Sequence, residues 1–400
     1  MQNQKLYSID GVKISAVSAG IKKAGRLDVV LFELCEGATV AGVYTRNAFC
    51  AAPVVVAKKH STTKSPRYFL INTGNANAGT GEAGMQAALE CCTELARVAG
   101  VATEEILPFS TGVIGEALPV NKITAVFPQA LNELSVDAWQ SAALGIMTTD
   151  TVPKSCSEKF QLAGKTVTIT GIAKGAGMIK PNMATMLAYI CTDAEIDQQT
   201  LSALCSRAAD RSFNRITVDG DTSTNDCCML VASCRGKLKY ADLDEAAAQQ
   251  FELTLNGVFQ TLAQAIIRDA EGATKFVTLT VEEGKNSEEC LQVAYAIAES
   301  PLVKTALFAS DPNWGRIAAA LGRAGLKNLD INKVRIYLDT VCIVRNGGRD
   351  TNYTEALGQA VMSKSDIEIS VKLGRGESSE RVWTCDLSYD YVKINAEYRS

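Results

Sequence analysis

A chain of 400 residues is longer than one ordinary hydrophobic core organises, so two lobes or one large α/β unit is expected. Apolar residues make up 47% and charged residues 21%, which excludes a largely disordered chain. The net charge of −4, without a basic run, gives no footprint for nucleic acid. No stretch approaches the roughly 18 apolar residues of a membrane span, and residues 1–10 carry no secretory signal, so a small-molecule substrate fits best.

In chain order, residues 28–35 and 38–45 form an expected hairpin around Glu36-Gly37, and 68–72 is a buried strand. A helix over 81–99 follows from the spacing of Met85, Ala88, Leu89, Cys92 and Leu95, with Gly100 as its stop. After Pro108 comes a small-residue loop, 110–115, then a helix over 120–134. Strands at 166–172 and 186–191 flank a loop, with Gly164-Lys165-Thr166 as a hairpin turn rather than a phosphate loop. Helices are expected over 198–211 and 242–269, and strands over 227–233, 276–281, 334–338, 367–373 and 382–387. This mixture reads as a layered α+β or α/β architecture, without a fixed-period repeat.

Thirteen cysteines, an odd number without a CxxC spacing, read as small hydrophobes such as Cys91-Cys92 and Cys227-Cys228, and point to a reducing cytoplasm. The single histidine, His60, lies in the polar stretch 58–64 and reads as a surface-loop residue. A Ser-His-Asp triad and a histidine-based metal site are therefore not expected, and no cofactor or metal is called for. The stretch from Asp219 resembles a calcium loop only in part, since its sixth and twelfth positions are Thr224 and Leu230.

The loop Lys174-Gly175-Ala176-Gly177-Met178-Ile179-Lys180-Pro181-Asn182-Met183-Ala184-Thr185 stands apart. Its glycines permit positive φ, and Pro181 fixes its own φ while pushing Lys180 away from helical geometry. It ends on a threonine behind a small residue. That is the arrangement of an N-terminal-nucleophile precursor, in which the Thr185 hydroxyl must reach the Ala184 carbonyl carbon. A Gly-rich loop leading to a Pro-Asn turn and a buried strand is also common in α/β proteins, and loop composition alone leaves that reading open.

The run KGAGMIKPNMATML resembles the self-cleavage segment of the ornithine acetyltransferases, also called bifunctional glutamate N-acetyltransferases, of arginine biosynthesis. The likeness continues through Asn72-Thr73-Gly74-Asn75-Ala76-Asn77, Ser110-Thr111-Gly112-Val113-Ile114-Gly115, the stretch from Thr217 to Asp226, Ser310-Asp311-Pro312-Asn313-Trp314-Gly315-Arg316 and Asn395-Ala396-Glu397-Tyr398. The resemblance implies an αββα-type sandwich of N-terminal-nucleophile style with an additional C-terminal α/β lobe. It implies an α chain, 1–184, and a β chain, 185–400, assembled as α2β2.

It further implies that an acetyl group moves from N2-acetylornithine to glutamate through acetyl-Thr185, with Thr111 and Gly112 as oxyanion donors. Substrate-binding positions carried over are Thr148, Lys174, Thr185, Glu271, Asn395 and Ser400, where Ser400 stands in for a threonine common in the family. Acetyl-CoA is a possible second donor, on which no CoA-specific motif decides. Physical chemistry agrees with the scheme, since a free N-terminal amine can activate its own hydroxyl without histidine. Two other readings remain: an N-terminal-nucleophile amidase or aminopeptidase, in which water resolves the acyl-enzyme, and an uncut amino-acid-binding protein.

Overall fold

The computed structural model describes residues 5–180 and 186–397. Two compact units divide the chain: residues 1–214 with 222–266, and residues 215–221 with 267–400.

The first unit contains β1 (Val12–Val17), β2 (Val29–Leu34), β3 (Thr39–Tyr44), α1 (Ala52–Thr63), β4 (Tyr68–Asn75), α2 (Gly81–Ala99) and β5 (Ile106–Val113). There follow α3 (Val120–Ala125), α4 (Phe127–Asn132), α5 (Trp139–Gly145), β6 (Lys154–Leu162), β7 (Lys165–Lys174), β8 (Leu187–Thr192), α6 (Gln198–Asp210), β9 (Cys227–Ala232) and α7 (Glu245–Arg268). The strands form two sheets, in the orders β1-β2-β4-β5 and β3-β9-β8-β7-β6.

Strand periodicity explains the stacking. Along β2, Val30, Phe32 and Leu34 face the other sheet, while Val29 and Leu31 face helices; β4 splits Phe69 and Ile71 from Tyr68 and Leu70 in the same way. Between the sheets Phe32, Phe69, Phe109 and Tyr189 meet ring to ring at 5.3–6.1 Å. Trp139 and Ala142 of α5 fill the same core. On the outer face of the first sheet lie Ala88, Cys91, Cys92 and Leu95 of α2, which Gly100 stops at φ 70°. On the second sheet, Phe251 of α7 meets Phe160 of β6, and a side chain on Gly171 of β7 would strike Leu262. The expected αββα layering is therefore present.

The second unit has β10 (Phe276–Gly284), α8 (Ser287–Ala298), α9 (Pro301–Phe308), α10 (Trp314–Gly322), β11 (Arg335–Leu338), β12 (Val341–Arg345), β13 (Gly348–Arg349), α11 (Glu355–Met362), β14 (Asp366–Lys372), β15 (Ser378–Cys385) and α12 (Tyr389–Ala396). One sheet, β13-β12-β11-β14-β10-β15, packs against helices through Val277, Leu279, Val293, Ile297, Ile336 and Ile369. This is the additional α/β lobe. The Asn313 side chain of the Ser310–Arg316 motif accepts from the Arg316 amide and starts α10.

Four expectations change. Residues 28–35 and 38–45 do not pair: β2 is buried on both faces and takes β1 and β4 on its two edges, while β3 crosses to the other sheet and pairs with β9. The helix over 120–134 is two helices, because Pro128 cannot donate to a carbonyl one turn back. The loop 110–115 is largely strand, since β5 runs to Val113 at a sheet edge, where Pro108 is tolerated. His60 is not in a surface loop. It lies in the last turn of α1, 4% exposed, and its Nδ1 donates to Ile106 O at 2.7 Å.

Candidate active site

Three strands of the first unit turn polar at their C-terminal ends. β4 passes from Ile71 to Asn72, Thr73 and Asn75; β5 from Phe109 to Ser110 and Thr111; β7 from Ile172 to Lys174. β8 begins at Leu187 and pairs with Lys174, so the segment bearing the anticipated nucleophile leaves and returns on adjacent strands. Ala184 and Thr185 lie outside the described residues, as does Ser400. On the far side, Cys227 N of β9 donates to Met186 O at 2.9 Å.

Thr111 and Gly112 are held from both sides. A Cβ on Gly112, at φ 138°, would lie 2.3 Å from the Gly74 carbonyl carbon and 2.5 Å from Asn75 N, so only glycine lets β5 approach β4 this closely. Ser110 Oγ donates to Asn72 Oδ1 at 2.6 Å, and Asn225 Nδ2 donates to Ser110 O at 2.9 Å and Ala76 O at 2.6 Å. The Ile106 and Ser110 carbonyls, both taking side-chain donors, mark the edge of β5 away from β4. By the two-residue alternation of a strand, the Gly112 amide belongs to that edge too.

Lys174 Nζ, 9% exposed in its residue, donates to Thr111 Oγ1 at 3.1 Å. An ammonium has only donors, so the Thr111 oxygen accepts and the hydroxyl proton is available to an oxyanion. Thr148 reaches the same place through Asp150. The Asp150 carboxylate accepts the Thr148 amide at 2.9 Å, the Gly175 amide at 2.7 Å and Lys154 Nζ at 2.6 Å. Burial alone would raise this carboxyl, but Lys154 and Lys174 together with the hydrogen bonds hold it well below the ordinary carboxylate range. Beyond Gly175, at φ 150°, the chain strains at Met178, φ 55°.

The Thr217–Asp226 motif staples this region. Thr222 Oγ1 donates to Lys180 O at 3.2 Å, the carbonyls of Thr222 and Ser223 accept from Asn47 and Thr45, and Asn225 reaches Ser110. Next along, the Asp226 carboxyl is 3% exposed and its Oδ2 has no hydrogen-bond partner among the described residues. Burial pushes its pKa well up against the opposing pull of Ser223 and Lys174.

In the second unit, Glu271 is buried and its Oε2 accepts from Asn395 Nδ2 at 2.7 Å; the same amide donates to Tyr391 O at 3.0 Å. Gly272, at φ 69°, allows the turn to sit against α12, where a Cβ would meet Ser388 Oγ at 2.5 Å and Tyr391 N at 2.7 Å. Tyr391 Oη donates to Asp219 Oδ2 at 3.1 Å.

The structure thus brings together Thr111, Gly112, Lys174 and Thr148 in one unit and Glu271 with Asn395 in the other. Sequence reading missed Asp150 and Lys154. Their signal was an Asp four residues before a Lys with Pro153 between, a spacing that cannot be a helical ion pair. None of the thirteen cysteines, all of them described residues, is in a disulfide, and no described helix is long and apolar enough to cross a membrane.

An αββα sandwich with buried donors and cations gathered at one end of its strands is built for acyl chemistry at those strand ends. The ArgJ family model matches residues 13–400, and the chain belongs to that family. It is 56% identical over 398 residues to the arginine biosynthesis bifunctional protein ArgJ of Pseudomonas fluorescens (strain Pf0-1), covering 99% of this chain and 98% of the relative. The protein of the same description from Methylococcus capsulatus is 53% identical over 396 residues, covering 99% and 97%. A crystal structure of the arginine biosynthesis bifunctional protein argJ of Bacillus halodurans is 37% identical, covering 51% of this chain and 95% of that one, with a TM-score of 0.47.

Proposed function

We propose that this chain is a self-cleaving acetyltransferase of arginine biosynthesis, moving acetyl from N2-acetylornithine to glutamate, with acetyl-CoA as a further donor. The family membership supports the pathway, and one observation supports the chemistry: the 3.1 Å contact from Lys174 to Thr111 beside the loop that ends at Thr185.

Thr185 Oγ adds to the Ala184 carbonyl, the peptide C–N bond breaks, and the proton goes to the departing amine. Water then hydrolyses the ester, leaving chains 1–184 and 185–400. The freed α-amine takes the proton of Thr185 Oγ as the hydroxyl attacks the acetyl amide of the donor, and ornithine leaves with a protonated amine. Glutamate's amine attacks the acetyl ester and restores the hydroxyl. Thr111 and Gly112 stabilise each oxyanion, worth about 3–4 kcal/mol per donor. Lys174 and Thr148 receive the α-carboxylate common to both amino acids, Glu271 and Asn395 receive ornithine's side-chain ammonium, and Ser400 completes substrate binding. The assembly is α2β2.

The assay is release of ornithine from N2-acetylornithine with and without glutamate, and acetylglutamate formation from acetyl-CoA. Release that is independent of glutamate, with water as the acceptor, would make the protein an amidase. Thr185→Ala is expected to remain one 42.7 kDa chain by denaturing mass spectrometry and to lose all transfer. An uncut wild-type chain with full activity would refute self-cleavage.

The base gives a second test. Activity should rise with pH along one limb as the Thr185 amine, ordinarily titrating near ~7.7–8.0, becomes neutral. His60 sits in α1 bonded to Ile106, so a His60 variant that still folds should keep that limb. Its disappearance in a correctly cleaved His60→Ala enzyme would remove the amine from this role.

A further inference from the structure

We propose that Asp150 and Lys154 form a buried clamp that positions Lys174 and Thr148 for the carboxylate shared by donor and acceptor. The inference rests on the substrate-binding reading of those two residues and adds the device that holds them.

The pair is a salt bridge of 2.6 Å between side chains that are 1% and 0% exposed. Burying two charges is costly, and such a pair is weak evidence for stability by itself. Its connections are more specific than a stabilising role requires. One carboxylate oxygen accepts both Lys154 Nζ and the amide of Gly175, the residue after Lys174; the other accepts the amide of Thr148. Two segments far apart in sequence are thereby fixed to one rigid anion. Lys154 stands opposite Ala173 in the β6–β7 ladder, so its ammonium enters from the strand that neighbours Lys174.

Charge points the same way. Asp150 feels both ammoniums. Two ammoniums and one carboxylate sum to a single positive charge in this trio, which complements one substrate carboxylate. Without Lys154, the Asp150 anion would have Lys174 as its main nearby cation and would draw that ammonium from its place beside Thr111.

The test uses full-length, self-processed enzyme with Asp150→Asn and Lys154→Gln, their active fraction counted by acetyl-enzyme formation. Both variants should raise KM for N2-acetylornithine and for glutamate together, by about tenfold or more as for loss of a charge-assisted contact, with a smaller change in kcat. A structural role alone would lower the melting temperature and leave both KM values within about twofold, and that result overturns the proposal. If Asp150→Asn does not accumulate as folded protein, Lys154→Gln decides, because it keeps the carboxylate and both amides bonded to it. Lys174→Ala and Thr148→Ala are measured alongside. If these leave KM unchanged, the substrate-binding reading itself is wrong; if they raise it and the clamp variants do not, only the clamp is wrong.

Discussion

The middle of the sandwich and its polar end are made from the same strands and obey opposite rules. In the middle, Phe32, Phe69, Phe109 and Tyr189 are packed by shape, and their exposure is 0–1%. Further along, β4 presents Asn72 and Asn75, β5 presents Thr111 and the neighbouring β7 presents Lys174, which are nearly as buried yet each tied by named hydrogen bonds. Burial is thus not what separates stability from function here. The middle can exchange one apolar residue for another of like volume, whereas the polar end requires particular atoms at particular distances.

This difference can be broken from either side. Phe109→Ala should cost about 3–5 kcal/mol of stability, measured by denaturant unfolding, because a ring between the aromatic neighbours Phe69 and Tyr189 leaves a cavity. Counted per folded, cleaved molecule, its KM values should stay near wild type. Gly112→Ala should do the reverse. The new methyl meets the Gly74 backbone, so Thr111 and the Gly112 amide shift, and kcat should fall about 10²–10³-fold, the loss of one oxyanion donor. Equal kcat losses per folded molecule in the two variants would erase the distinction between middle and end.

What was legible in the sequence follows the same division. The helices over 81–99, 198–211 and 242–269 and the strands on either side of the 174–185 segment were readable because apolar periodicity is local. The strand pairing was not, since residues 28–45 carry a turn signal at Glu36-Gly37 whether the next strand folds back or crosses to another sheet. His60 was misplaced because Lys58, Lys59 and Lys64 made its surroundings polar, although α1 buries one face of that stretch. The site residues came from motif resemblance, and the structure brings Thr111 to Lys174 without testing their roles. Asp150 stayed hidden because two of its partners, Thr148 and Gly175, belong to different segments and offer only backbone amides, which leave no trace in sequence, so that the nearby Lys154 was the sole clue.

The smallest expected effect compares two buried aspartates of this region, Asp150 and Asp226. Asp150 has its pKa lowered, so its contribution to stability is present above the ordinary carboxylate range, near ~3.9, and is lost as pH falls below it. Asp226 is the opposite case. With its folded pKa raised by burial, the unfolded chain releases the proton first, and stability is lost as pH rises from ~3.9 towards the folded value. Replacing Asp226 by Asn removes that ionisation while keeping the shape. Asp226→Asn should therefore match wild type near pH 4 and gain stability over it progressively as pH rises towards neutrality. Melting temperatures of both proteins across pH 4–8 measure it. A gap that stays constant or reverses sign would mean that Asp226 is ionised in the folded protein, and that the polar end holds a second anion beside Asp150.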